Sequence, residues 1–459
     1  MTTQIESHRI TPPHGELPPE ISFPLAYLDI PWLLLLPIRL LLFYDSSVSK
    51  SSFLETHVPK LKRSLSLTLK HYVRFAGNII HPLIDAGKPS FRYVAGDSVS
   101  LTVSESSKDF SSLVGCGPRD ADQFYDYVPQ FPPIKDEPEF KIVPGLAIQV
   151  TLFPGSGICI GIASNHAIGD GVSIVSFIKA WASTSKFEGS SDEDLLIRTG
   201  KDTPCFDGKL IRDPLGIDDI FWNQIKHVPI HSSTFPLPTK RVRATYILHE
   251  ADIKKLKDSA VRKIPGLIYV SSFVVVAAYM WCMMVKSGDS MGEEVEESRD
   301  EYFIFAVDLR RGRVDPPLPG NYLGNCIAPG RLKMGHGSLA GDEGFFLAVE
   351  AMADYIQNWA NNKERVLEGA EKWLWDFKKM EGGGTLAVSG SPKFDLYDVD
   401  FGWGKARKVE FASIDGENHS MSMCKPRDSD RGIEVGLSLP TQRMEAFAAL
   451  FADGFAQLR

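Results

Sequence analysis

Between residues 146 and 186 the chain changes its hydrophobic period. Ile148 to Phe153 alternates as a strand does, and Pro154-Gly155-Ser156-Gly157 reads as a hairpin loop. In the return strand Ile158, Ile160 and Ile162 share one face, while Cys159, Gly161 and Ala163 share the other. That second face is nearly bare, so another backbone or a ligand can approach it closely. Farther on the period becomes helical, and Ile174, Val175, Phe177, Ile178 and Trp181 predict a helix anchored in the core. The junction between the two periods is Ser164-Asn165-His166-Ala167-Ile168-Gly169-Asp170-Gly171, whose glycines suit a tight turn.

The same reading extends along the chain. Leu61, Leu65, Leu69 and Tyr72 mark a helix, and Phe91 to Val103 holds two strand-like pieces. Thr184 to Pro204, rich in Ser, Asp, Gly and Lys, reads as a long linker. Beyond it Thr245 to His249 predicts a strand, Ile253 to Val261 a helix, and Phe303 to Val307 a strand. Gly292 to Glu301 is a charged run expected to be a solvated loop. Ser420 to Cys424 and Ile433 to Leu439 read as paired strands, followed by a capped helix with Met444, Phe447, Ala448 and Phe451 on one face. Strands and helices mix in both halves, and no repeat of solenoid period is present. The expectation is an α/β chain with one domain at 1–185, a crossover linker at 186–220 and a second domain at 221–459.

Composition narrows the function classes. A chain of 459 residues, 43% hydrophobic and 24% charged, has material for two or three sizeable cores. A formal net charge of −8 argues against a general nucleic-acid binder. The six cysteines are scattered, with no C-x-x-C and no histidine pair at zinc spacing, which fits free thiols in a reducing compartment and offers no metal site. Met1 to Leu17 is polar and unlike a signal peptide. Trp32 to Phe43 and Phe273 to Val285 are too short to span a bilayer, the second reading as a buried helix behind a Ser271-Ser272 cap. A cytoplasmic protein without a membrane span is expected.

The chemistry starts at His166. A histidine can act as general base near neutral pH, and one at the end of a rigid strand is well placed to do so. The spacing H-x-x-x-D alone is weak evidence, because His81-Pro82-Leu83-Ile84-Asp85 fits it too, without a strand–turn–helix context. Two further segments change the picture: Asp400-Phe401-Gly402-Trp403-Gly404 and Asn321-Tyr322-Leu323-Gly324-Asn325-Cys326. Together with His166 and Asp170 they resemble the plant BAHD acyl-CoA-dependent acyltransferases, and the N-Y-x-G-N-C element resembles the clade acting on anthocyanins and other phenolic glucosides. Phe43-Tyr44, Gly96 to Val99, Val388 to Phe394 and Ser413 to Glu417 extend the resemblance over essentially the whole chain.

The resemblance implies an α/β fold of two similar-sized chloramphenicol-acetyltransferase-like domains, mixed sheet plus helices, with a solvent channel between them. Acyl-CoA would enter from one side and the acceptor alcohol from the other. His166 would deprotonate the acceptor hydroxyl, the alkoxide would attack the thioester with no acyl-enzyme, and the proton would pass to the CoA thiolate. Ser389, 11 residues before Asp400, matches the position whose hydroxyl donates to the oxyanion, though it also reads as an ordinary strand serine. Asp170 is implied to point away from the channel and to hold the turn through an arginine. The candidates are Arg310, Arg311 and Arg313, because this chain carries one extra residue before Asp315-Pro316-Pro317. Leu323 stands where the family has an aromatic residue. Asp400, Gly402, Trp403 and Gly404 read as structural: glycines for a tight loop, the indole as a packing anchor.

CoA brings negative charge. Lys254, Lys255, Lys257, Arg262 and Lys263 form the densest basic stretch, just before Ser271 and Ser272, where a helix start would offer free N–H groups to a phosphate. Lys257, Ser271 and Ser272 are the expected CoA contacts, with Lys254 and Lys263 fitting a solvated helix face. V-S-G-S-P-K-F and S-I-D-G-E-N-H-S-M-S resemble malonyltransferases of anthocyanin or flavonoid glucosides. Malonyl-CoA is therefore the expected co-substrate, with no tightly bound cofactor, and the 6-hydroxyl of a glucose the expected acceptor in a monomeric enzyme. Hydroxycinnamoyl-CoA is the alternative donor, and a non-catalytic small-molecule binder the remote one. Gly288-Asp289-Ser290-Met291-Gly292 matches a hydrolase G-x-S-x-G, but an apolar helix precedes it where a nucleophile elbow needs a strand.

Overall fold

The predicted hairpin forms the middle of a six-stranded sheet. Leu146–Phe153 and Gly157–Ser164 pair antiparallel, with Val150 opposite Ile160, and every residue of both strands is buried. A strand covered on both faces reads as a continuous apolar run, which is why this hairpin is so nearly devoid of charge. The sheet order is Thr2–Ile10, Val99–Ser106, Leu146–Phe153, Gly157–Ser164, Ile38–Asp45, Lys408–Phe411. The computed structural model describes residues 1–83, 87–187, 204–230, 237–292, 295–310, 312–380, 382–416 and 419–457. Residues 188–203 of the expected linker lie outside these, as does Arg311; its flanks are helical, Thr184 to Lys186 ending helix Gly171–Lys186 and Ile217 to Ile220 starting helix Ile217–Ile225.

The two faces of Gly157–Ser164 meet different neighbours. Ile158, Ile160 and Ile162 belong to the main core, which includes Leu61, Leu65 and Leu69 of helix Val58–His71 and Ile174, Phe177, Ile178 and Trp181 of helix Gly171–Lys186. The two helices lock together where the Trp181 indole N–H donates to the Leu61 carbonyl at 3.2 Å. Cys159 joins a smaller cluster with Leu41, Phe43, Phe110 and Phe124. The bare position Gly161 admits a backbone rather than a ligand, since a Cβ there would collide with the Tyr127 carbonyl.

A second sheet of seven strands runs Ile327–Gly335, Asp300–Asp308, Gly384–Gly390, His419–Cys424, Ile433–Leu439, Val242–Leu248, Arg119–Asp120, and a third of five strands lies within residues 20–144. Helix Ser272–Asp289 is buried around almost its whole circumference, with helices Glu250–Lys263, Gly344–Tyr355 and Thr441–Gln457 packed on it. That burial accounts for its apolar sequence; among the described residues no helix is long and apolar enough to cross a membrane. Ser290 follows the helix at the G-x-S-x-G match, so the elbow geometry is missing there. Two expectations need correcting. Ala448 is exposed, because the buried face of Thr441–Gln457 centres on Met444 and Phe447. Glu301 ends the charged run in a buried position, because His336 Nδ1 meets its carboxylate at 2.8 Å.

The halves exchange short strands. Lys408–Phe411 pairs with Ile38–Asp45 in the first sheet, and Arg119–Asp120 pairs with Val242–Leu248 in the second. Buried ion pairs follow the exchange: Arg119 and Arg243 each reach Glu410 at 2.8 Å, Arg243 reaches Asp415 at 2.9 Å, and Lys408 reaches Glu434 at 2.7 Å. Charges out of water persist only when paired in this way.

Candidate active site

His166 opens a single helical turn, His166–Ile168, between strand Gly157–Ser164 and helix Gly171–Lys186. Asn165 caps the turn by accepting the Ala167 N–H at 3.0 Å. Gly169 and Gly171 are required by space: a Cβ on Gly169 would press on the Ser173 Cβ at 2.8 Å, and one on Gly171 on the Phe394 ring at 2.8 Å. Asp170 is the N-cap, accepting the Ser173 N–H and hydroxyl, each at 3.1 Å. Its other oxygen takes Arg310 at 2.8 Å and the Cys326 N–H at 3.0 Å. Every oxygen of this buried carboxylate is thus engaged away from the imidazole. Arg310 is the arginine partner, while Arg313 turns to the Asp308 carbonyl and Asn361.

Three residues that sequence reasoning gave no role surround the imidazole. Asn325 Oδ1 meets His166 Nδ1 at 3.2 Å. Asn325 Nδ2 donates to Asp29 Oδ1 and to the His166 carbonyl, both at 2.9 Å. Asp29 is a buried carboxylate paired with buried Arg74 at 2.8 Å. Both groups facing Nδ2 can only accept, so the amide orientation is fixed and Oδ1 must face a donor. Nδ1 therefore carries the proton, and the lone pair sits on Nε2. Trp32 completes the enclosure, its ring stacked on the imidazole with centroids 3.9 Å apart and planes 12° from parallel. Burial pulls the basicity of His166 down, while Asp170, Asn325 and Asp29 pull the other way and recover only part of it. The ring is thus neutral at pH 7, with Nε2 able to accept a proton.

The remaining candidates fall in separate places. Ser389 is half-buried near the end of strand Gly384–Gly390, opposite Ser422. The parallel neighbour Asp300–Asp308 leaves the sheet at that same end, toward Arg310, and Phe394 beyond Ser389 packs on Gly171. Ser271 caps helix Ser272–Asp289 by accepting the Val274 N–H at 3.2 Å, and the Lys257 ammonium lies 5.9 Å over the Tyr269 ring, two residues before that cap. Lys254 and Lys263 pair with Asp258 and Glu343 on the surface. Asp400 accepts the Gly402 and Gly404 N–H groups at 2.7 and 2.8 Å and pairs with Lys186 at 2.6 Å, at the far end of the helix that Asp170 starts. Gly402 and Gly404 have φ of 101° and 84°, which favour glycine, and Trp403 packs on Tyr44 and Phe401. Some 24 Å of helix separates this loop from Asp170, as 1.5 Å per residue requires.

The model of the transferase family matches residues 1–453. The chain belongs to the BAHD acyltransferase family. It is 48% identical, over 98% of its length and 95% of the relative's, to a malonyl-coenzyme:anthocyanin 5-O-glucoside-6'''-O-malonyltransferase of Salvia splendens. Identity is 42%, over the whole of both chains, to phenolic glucoside malonyltransferase 1 of Nicotiana tabacum. It is 34%, over 98% and 97%, to a coumaroyl-CoA:anthocyanidin 3-O-glucoside-6''-O-coumaroyltransferase of Arabidopsis thaliana. The fold is that of vinorine synthase, with a TM-score of 0.68 at 19% identity over 97% and 96% of the two chains. This BAHD enzyme is an acyl-CoA-dependent acyltransferase with the two-domain α/β fold of its family.

Proposed function

We propose that the enzyme transfers malonyl from malonyl-CoA to a sugar hydroxyl, the 6-position of a glucose, on an anthocyanin, flavonoid or other phenolic glucoside, with His166 as general base. The observation that carries this reading is the tautomer fixed by Asn325, which leaves the Nε2 lone pair free. Nε2 takes the acceptor O–H proton as the oxygen attacks the thioester carbonyl; the C–S bond then breaks and the departing thiolate receives that proton. A positioned base of this kind is worth roughly 10²–10⁴-fold. Trp32 and Asn325 act as positioning residues, holding the ring from its face and from Nδ1. Asp170, through Arg310, holds the turn. Ser389 donates to the tetrahedral oxyanion. Lys257, Ser271 and Ser272 meet the CoA phosphates.

Malonyl is favoured because the relatives at 48% and 42% identity bear that name, whereas the coumaroyltransferase relative stands at 34%. The last supports hydroxycinnamoyl transfer as the second reading. A competition assay separates them: purified enzyme, a flavonoid or anthocyanin glucoside, and equal malonyl-CoA and p-coumaroyl-CoA, with products read by mass. A malonyl ester is expected; a coumaroyl ester as the main product overturns the donor assignment.

A further inference from the structure

At the opposite end of the seven-stranded sheet from Arg310 lies a small cavity. Its wall includes Trp281 of helix Ser272–Asp289, Arg299 and Glu301 at the start of strand Asp300–Asp308, His336, His419 and Arg443. The strand alone puts it on the order of 25 Å from the turn held by Asp170, at about 3.3 Å per residue. Nothing in the acyl-transfer reading uses these groups.

The wall has too few acceptors. Trp281 Nε1, Arg299 Nε and His419 Nδ1 are buried nitrogens with no hydrogen-bond partner among the described residues. The first two can only donate. Glu301 relieves them only in part: its Oε1 is held by His336 Nδ1 at 2.8 Å and stands 3.8 Å from Arg299 Nε, beyond hydrogen-bond reach, while its Oε2 lies toward Gly384. His336 is itself saturated, with Nε2 meeting Asp289 at 2.8 Å. Positive charge prevails on the wall as well, with Arg299 and Arg443 against Glu301. Burial together with Arg443, Arg241 and Arg299 holds the basicity of His419 down to about 3. Buried donors that converge without acceptors call for a ligand that brings acceptors and negative charge. Trp281 is almost wholly buried and Arg299 half-exposed, so the wall runs from the interior to a rim through which a small ion can enter.

We propose that this cavity binds a small oxyanion, bridging helix Ser272–Asp289 to the strands that begin at Asp300 and His419. Two common sources share that chemistry, inorganic phosphate and a short carboxylate such as malonate. Binding of either to the folded chain raises the melting temperature by mass action.

The test is thermal melting of the full chain in increasing sodium phosphate or, separately, sodium malonate, each against sodium chloride at equal ionic strength. The wild type is expected to rise by a few degrees in one or both arms and not in chloride. Arg299→Met is expected to lose that rise, and Trp281→Phe, which keeps an aromatic ring and removes the donor, to need severalfold more anion. Two outcomes overturn the proposal: indifference of the wild type to both anions, which leaves a water-filled cavity, or an equal rise in both variants, which places the anion elsewhere. The site is independent of His166, so either result leaves the acyl-transfer reading untouched.

Discussion

The chain writes H-x-x-x-D twice, and the two histidines lead opposite lives. Each stands beside a tryptophan. Trp32 lies flat on His166 at 3.9 Å, whereas Trp222 meets His81 edge-on at 5.1 Å and 74°. His166 has Nδ1 bonded to an amide whose own orientation is fixed, which leaves Nε2 directed and available. His81 lies near the end of the interior strand Asn78–Pro82 with a buried Nδ1 that finds no hydrogen-bond partner among the described residues, and Asp85 lies outside them. Burial weakens both as bases; at His166 the groups Asp170, Asn325 and Asp29 offset it, whereas at His81 only its own backbone does, and Lys141 weakens it further. Spacing therefore says little by itself. What separates a base from a core histidine is the second nitrogen and what holds it.

The sharpest way to break the contrast is to remove each imidazole. His166→Ala is expected to lower kcat roughly 10²–10⁴-fold in a chain that still folds; a mutant that keeps most of its activity would sink the mechanism. Asp170→Ala takes from buried Arg310 its shorter ion pair, leaving it Asp308 at 3.2 Å, and removes the helix cap; it is expected to cost about 3 kcal/mol in denaturant unfolding together with most of the activity. Asn325→Leu removes the group that fixes the tautomer. Its kcat should fall roughly tenfold to a hundredfold, with KM for acyl-CoA little changed. The pH profile sharpens this. Because burial lowers the basicity of His166, the acid limb of kcat/KM should bend below pH 6.5, and because Asn325 raises that basicity, the variant should bend lower still. His81→Ala should be the mildest in turnover, within about twofold, but it opens a buried position and should cost about 1–3 kcal/mol of stability.

What could be read in advance follows the range of the contacts. The hairpin around Gly155, helix Val58–His71 and helix Gly171–Lys186 follow from neighbours a few residues apart, so periodicity finds them. The cap by Asp170 is equally local. Its partner Arg310 is 140 residues away, and the extra residue beside it left three arginines open until the fold placed one. Asn325 sits within a motif that marks the clade, yet its role depends on His166, 159 positions earlier, and on Asp29, 296 positions earlier. Trp32 lies in an apolar run whose evident message was burial, and nothing in that run signals a ring stacked on a distant histidine. The exchanged strand Lys408–Phe411 is four residues long, too short for any period to show.

That exchanged strand bears on how the protein is made. Lys408–Phe411 covers the edge of Ile38–Asp45, and it leaves the ribosome some 360 residues after that strand does. At about 5–20 residues per second the edge stays open for roughly 20–70 seconds. Throughout that interval the nascent chain presents an apolar strand with unpaired backbone groups, the kind of surface that recruits a stray strand from a neighbour. A fragment ending before residue 408 would keep that edge permanently, so the first half expressed alone should aggregate instead of standing as a smaller enzyme.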